Sequence, residues 1–161
     1  MDKYLKWNTV IICSIPYLFI SCIGGGTHGS IKAYQYPISK YTLDSTVQKV
    51  IALNPKIQMD TIKDYYNDIH TYVTMDIMEE GMTYNYIFRY AGDTTYWDTS
   101  KNLSDLFICY AHDKDGNGGS EGNGGVSWYH LGLKRKLIKP FETEFISKLD
   151  SMLKLKHINP N

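Results

Sequence analysis

The chain reads as an α+β domain: a four-stranded antiparallel meander sheet with an N-terminal and a C-terminal helix packed on one face. Three observations predict it. Leu43, Val47, Val50 and Ile51 recur at helical spacing near the front. From Val73 to Tyr90 the hydrophobic period falls to two, interrupted by Glu79-Glu80-Gly81. Phe141, Phe145, Leu149 and Met152/Leu153 return to helical spacing at the end. Each apolar stripe has to be buried, and helices segregated on one face of an antiparallel sheet bury both kinds at once.

The elements follow in order. Lys32 to Pro37 is a lead-in with room for an edge strand. Ser39 or Thr42 caps a helix running to about Leu53, and Asn54-Pro55 ends it because the residue before proline avoids the helical region. Asp60 to Asn67 fits a short helix or a loop. Val73, Met75 and Ile77 alternate with Thr74, Asp76 and Met78. After the turn, Tyr84, Tyr86, Phe88 and Tyr90 alternate with Asn85, Ile87 and Arg89, which completes a hairpin. Ala91-Gly92-Asp93 turns the chain, and Tyr96-Trp97 begins a strand or fills a loop. Leu106 to Ala111 is a third strand and Val126 to Leu133 a fourth, joined by a long glycine-rich loop. Lys134-Arg135-Lys136 reads as a solvated strand end, with a phosphate or lipid-headgroup patch as the alternative. Pro140 suits the first turn of the last helix.

The front of the chain carries the clearest functional information. Lys3 and Lys6 precede an apolar stretch from Thr9 to Ile23 that contains Pro16. A helix needs about 20 apolar residues to cross a bilayer, so this stretch is too short for a span and has the form of a secretory signal. Leu18-Phe19-Ile20-Ser21-Cys22 closes it, with a small residue before a cysteine. Cys13 follows the bulky Ile12 and fits that role less well. The Ser21-Cys22 junction resembles the lipobox of bacterial lipoproteins, with Phe19 where that motif usually has Leu. The resemblance covers residues 1–22. It implies a diacylglycerol thioether on Cys22, cleavage before it, and acylation, as with palmitate, of the new amine. It also implies a cell-envelope location. Ile23 follows the cysteine without an acidic run, which in many gram-negative lipoproteins implies the outer membrane, facing the periplasm.

The domain organisation expected is therefore a signal peptide over 1–21, a flexible tether over 22–36 that includes the glycines before Ser30, and one domain over 37–161. Seventeen basic groups balance seventeen acidic ones. Removing residues 1–21 takes two Lys and one Asp, leaving 15 basic and 16 acidic groups. Such a balance supplies no overall field to recruit nucleic acid or an acidic membrane. With Cys13 removed and Cys22 acylated, Cys109 has no internal disulfide partner, and its apolar surroundings suit a buried structural thiol.

One motif looks like chemistry. Asp113-Lys114-Asp115-Gly116-Asn117-Gly118 matches the first half of an EF-hand loop, with oxygens at positions one, three and five and glycine at six. The second half departs: Ser120 stands at the apolar position and Gly124 at the bidentate glutamate. Asp113, Asp115, Asn117 and Glu121 are then the candidate ligands for Ca2+. Six of the ten residues from Gly116 to Gly125 are glycine, so ordering the loop costs entropy. His112, Asp113 and His130 form the best available acid–base set for a hydrolase-like enzyme. No zinc spacing, nucleophile elbow or phosphate loop occurs. The leading expectation is a non-enzymatic, membrane-anchored envelope protein that binds a protein or peptide partner, of an immunity type or as an accessory subunit. The alternatives are the calcium module and the enzyme.

Overall fold

The computed structural model describes residues 30–60, 71–100, 102–120, 126 and 130–160. The expected signal peptide, the acceptor Cys22, the segment 61–70 and Glu121 lie outside the described residues.

Strand β1 (Lys32–Tyr36) leads into helix α1 (Lys40–Leu53), then β2 (Ile57–Met59), β3 (Tyr72–Glu79), β4 (Met82–Tyr90), α2 (Thr94–Thr99), β5 (Ser104–Asp113) and β6 (Gly118–Ser120). The chain finishes with α3 (Leu131–Pro140), a π-helical segment (Phe141–Ile146) and α4 (Ser147–Leu153). The domain is α+β, as the sequence predicts. Among the described residues its sheet has six antiparallel strands in the order β1-β5-β4-β3-β2, with β6 beside β5. The consecutive β3, β4 and β5 make the meander. Strand β1 is the edge strand that the lead-in allowed, and its pairing with β5 takes the end of the expected tether into the sheet.

Local chemistry explains the elements that the sequence shows well. Ser39 caps α1 by accepting from the Thr42 amide, and Leu43, Val47, Val50 and Ile51 are buried on one stripe. Strands β3 and β4 pair from Glu79↔Met82 to Tyr72↔Arg89. Two residues join them, Glu80 at φ 52° and Gly81 at φ 75°. Both positive angles define the hairpin turn whose twist matches the strands.

The expected fourth strand is corrected. Leu131 to Leu133 open helix α3, and residues 127–129 lie outside the described residues. The basic run 134–136 is therefore helical as well. From Leu131 onward the governing repeat is longer than that of a strand. Leu133, Leu137, Phe141, Phe145, Leu149 and Leu153 recur at every fourth residue. In an ideal α-helix each such step drifts by about 40°. The wider π-helical segment in the middle takes up part of that drift and keeps the four central residues fully buried. Pro140 stands inside this long helix rather than in its first turn, where its missing N–H cannot serve the carbonyl of Lys136. Tyr96 and Trp97 are helical too, because Asp93 accepts from the Tyr96 amide and starts α2.

The core is aromatic. Phe141 meets Tyr34, Tyr86, Phe88 and Phe145 at centroid separations of 5.8, 5.1, 5.9 and 5.0 Å. These contacts place the C-terminal helix on the sheet face that carries Tyr34, Tyr36, Tyr86, Phe88 and Tyr90. Past α4, Lys154 takes the left-handed conformation at φ 54° and the chain turns back. Ile158 then exchanges two backbone hydrogen bonds with Gln35, at 2.8 and 2.9 Å, along the outer edge of β1.

Candidate functional site

The EF-hand-like segment is the turn of the β5–β6 hairpin. His112 pairs with Gly118 across it. Gly118 has a structural reason to be glycine: a Cβ there would stand 2.1 Å from the Ala111 carbonyl oxygen. Asp113 organises the turn. Its Oδ1 accepts from the Asp115 amide at 3.0 Å, the Asn117 amide at 2.9 Å and the Asn117 side-chain amide at 3.1 Å. Its Oδ2 accepts from Lys136 Nζ of α3 at 2.8 Å. The side chain is buried, and Lys136, followed by the Asn117 and Asp115 donors, holds the carboxyl well below the usual carboxylate range.

Two of the expected calcium ligands, Asp113 and Asn117, are engaged in the turn itself. Asp113 and Asn117 come together, but as acceptor and donor to each other. Asp115 is exposed and offers its amide rather than its carboxylate. Among the described residues no three His, Cys, Asp or Glu side chains gather as a metal site. A cation reaching Asp113 has to displace the Lys136 ammonium, so millimolar calcium is expected to leave the melting temperature unchanged. Asp113→Ala removes the acceptor of four donors and is expected to cost about 2–4 kcal/mol in urea unfolding. The acid dependence carries the sign of a depressed carboxyl. The stabilisation is complete above the unfolded value near pH 3.9, roughly, and fades as pH falls toward the lower folded value, so Asp113→Asn flattens the acid limb of the stability curve.

The acid–base set is not assembled. His112 and Asp113 are neighbours on one strand, so their side chains leave by opposite faces. His112 Nδ1 lies 2.8 Å from the Asp113 backbone oxygen and the ring stands edge-on to Tyr110. His130 is exposed at the start of α3.

Other polar groups that the sequence reading passed over are tied into the frame. Lys40 is 4 % exposed, with its Nζ 4.7 Å from the centre of the Tyr90 ring and 4.4 Å from that of Trp97. Asp44 accepts from it at 3.0 Å. Asp150 accepts from Tyr36 at 2.8 Å and holds His157 Nδ1 at 2.9 Å, fixing the C-terminal return. Glu144 is buried and accepts from Lys56 at 2.6 Å.

The second sheet face has a different character. A bulge in β5 places Cys109 between the pairs Ile87↔Tyr110 and Phe88↔Ile108. The extra residue restores the alternation, so Leu106, Ile108, Ala111 and Asp113 point to the helices while Phe107, Tyr110 and His112 point away. Arg89 lies over Phe107 at 5.2 Å from the ring centre. Cys109 is half-buried on this face rather than in the helix-covered core. Burial pushes its thiol up, with Arg89 pulling more weakly the other way. The half-exposed row Phe107, Arg89 and Tyr72 crosses three adjacent strands.

Among the described residues no helix is long and apolar enough to cross a membrane. No protein-family model, curated protein or solved structure matches the chain.

Proposed function

We propose that this chain is a lipid-anchored, non-enzymatic binding domain of a bacterial envelope. The acyl chains sit on Cys22, and the sheet face away from the helices recognises a protein or peptide. Outer-membrane attachment facing the periplasm follows from Ile23 and the lack of an acidic run behind it. Several acyl chains hold firmly where one binds reversibly, because each buried methylene contributes about 0.8 kcal/mol.

The observation that carries the binding role is the division of labour between the two faces. Asp113, Lys40, Asp150 and Glu144 are all spent on structural contacts. The opposite face presents Arg89 stacked on Phe107 with Tyr72 and Tyr110 beside them, the aromatic and guanidinium chemistry enriched at protein interfaces. An immunity-type protein or an accessory subunit of an envelope complex both fit that surface.

Affinity capture from the native envelope tests the reading. The acylated protein is expected to retain a partner that the Phe107→Ala/Arg89→Ala variant loses, while the variant stays folded. Recovery of the same proteins by both, or of none, removes this face as the binding site. Metabolic labelling with palmitate tests the anchor: Cys22→Ala is expected to abolish label that Cys13→Ala retains.

A further inference from the structure

Overall neutrality hides a strongly uneven distribution of charge. Segments 45–56 and 147–160 contain Lys49, Lys56, Lys148, Lys154 and Lys156 and a single acid, Asp150. The fold packs these segments together as the end of α1 against α4. Asp150 is turned inward to Tyr36 and His157, and Lys56 is held by Glu144. Lys49, Lys148, Lys154 and Lys156 are exposed and form no ion pair among the described residues. Between the two helices runs a groove of about 440 Å3 whose lining includes Val50, Leu53, Pro55, Met152 and Lys148. Leu53 is 73 % exposed and Met152 40 %. Lys49 lies one turn from Leu53, and Lys148 one turn from Met152, so each apolar side chain has an ammonium beside it.

Unpaired lysines beside exposed aliphatic side chains match the chemistry of an anionic phospholipid surface, with acyl boundary below and phosphates above. We propose that this groove is the face on which the domain rests on such a surface. Leu53 and Met152 enter the headgroup layer while Lys49, Lys148, Lys154 and Lys156 pair with lipid phosphates. The proposal rests on the acylation of Cys22 for proximity. Seven residues separate Cys22 from Ser30, and the eight Cα-to-Cα steps span roughly 28 Å at full extension, which keeps the domain within reach of the bilayer. The attraction needs no net charge, because a local cluster acts within a Debye length of about 8–10 Å.

Amine footprinting on the full protein tests this. The acylated chain is reconstituted in vesicles of phosphatidylcholine mixed with phosphatidylglycerol, or of phosphatidylcholine alone, and acetylation of each lysine is followed by mass spectrometry. Lys49 and Lys148 are expected to react several-fold more slowly on the anionic vesicles, while Lys114 on the β5–β6 turn is unchanged. Leu53→Glu/Met152→Glu and added salt are each expected to restore their reactivity. Equal rates on the two vesicle types overturn the proposal. So does protection that rises with protein concentration in the absence of lipid, which assigns the groove to a second copy. The same spectra show whether residue 22 carries acyl mass. If it does not, the anchor reading fails, and the unanchored chain added to the same vesicles still decides whether the groove binds them.

Discussion

Phe141→Ala is expected to destabilise the domain by about 4 kcal/mol, a loss large enough to remove about 15 °C from the melting temperature. Phe141 is fully buried and joins the helix to two strands through Tyr34, Tyr86 and Phe88, and to the next helical turn through Phe145. Truncation leaves a void among rigid rings that cannot collapse into it. The effect is also local to an unusual piece of backbone, since Phe141 begins the π-helical segment that keeps the four-residue repeat on the core. Phe141→Leu, which refills part of the space, is expected to recover about half the loss. Thermal and urea unfolding check both variants. A loss under about 1 kcal/mol for the alanine variant would mean that the C-terminal helix does not pack as described.

Alkaline unfolding is the second large effect. Tyr34, Tyr36, Tyr86 and Tyr90 are fully buried on the helix-covered face. Burial, reinforced by neighbouring carboxylates at Tyr34, Tyr36 and Tyr90, drives all four phenols well above their ordinary value. Their hydroxyls donate to Glu142, Asp150, the Leu137 carbonyl and Asp44, so an ionised phenolate loses its donated bond and, at Tyr34, Tyr36 and Tyr90, faces a carboxylate. A raised folded value gives stability that is complete below the unfolded value, near pH 10, and is lost as pH rises above it. Each tyrosine contributes about 1.4 kcal/mol per pH unit of that loss, so four contribute about 5–6. For a domain of ordinary stability the fold is expected to fail at about pH 11–12. Tyrosinate absorbance of the buried set should rise in one step with the loss of circular dichroism. Tyr36→Phe removes one of the four phenols and is expected to lessen the slope by about a quarter. Gradual ionisation near pH 10, roughly, with the fold intact would contradict the burial.

The parts of this fold legible in the sequence are those where a local cause and a periodic pattern coincide. Ser39 supplies a cap just where Leu43, Val47, Val50 and Ile51 begin their stripe. Glu80-Gly81 supplies the turn between two alternating runs. Strand β2 is three residues long, too short to show a period. Helix α3 was hidden because Pro140 normally marks a helix start, and here the π-helical segment lets the helix run through it. Helix α2 rests on Asp93, a cap that looks like turn chemistry when the following Tyr-Trp suggests a strand.

Site legibility divides in the same way. The Asp-x-Asp-x-Asn-Gly spacing marked Asp113, Asp115 and Asn117 as candidate calcium ligands, and the structure joins Asp113 and Asn117 by hydrogen bonds. Spacing alone does not distinguish a loop that gathers oxygens around an ion from one whose first carboxylate gathers its own amides. The deciding group is Lys136, distant in sequence and delivered by a helix that the sequence read as a strand end. The His112–Asp113 pair fails for a reason already present in the pleat of a strand. The lysine-rimmed groove was invisible because charge was balanced over the whole chain, while its lysines come from segments about a hundred residues apart.

The central claim is that the thiol of Cys22 carries the domain's membrane anchor, and the intact mass of the native envelope product tests it most directly. A chain beginning at Cys22 with added diacylglycerol and acyl mass is the predicted result. A product that still begins at Met1, or a residue 22 with an unmodified thiol, contradicts it.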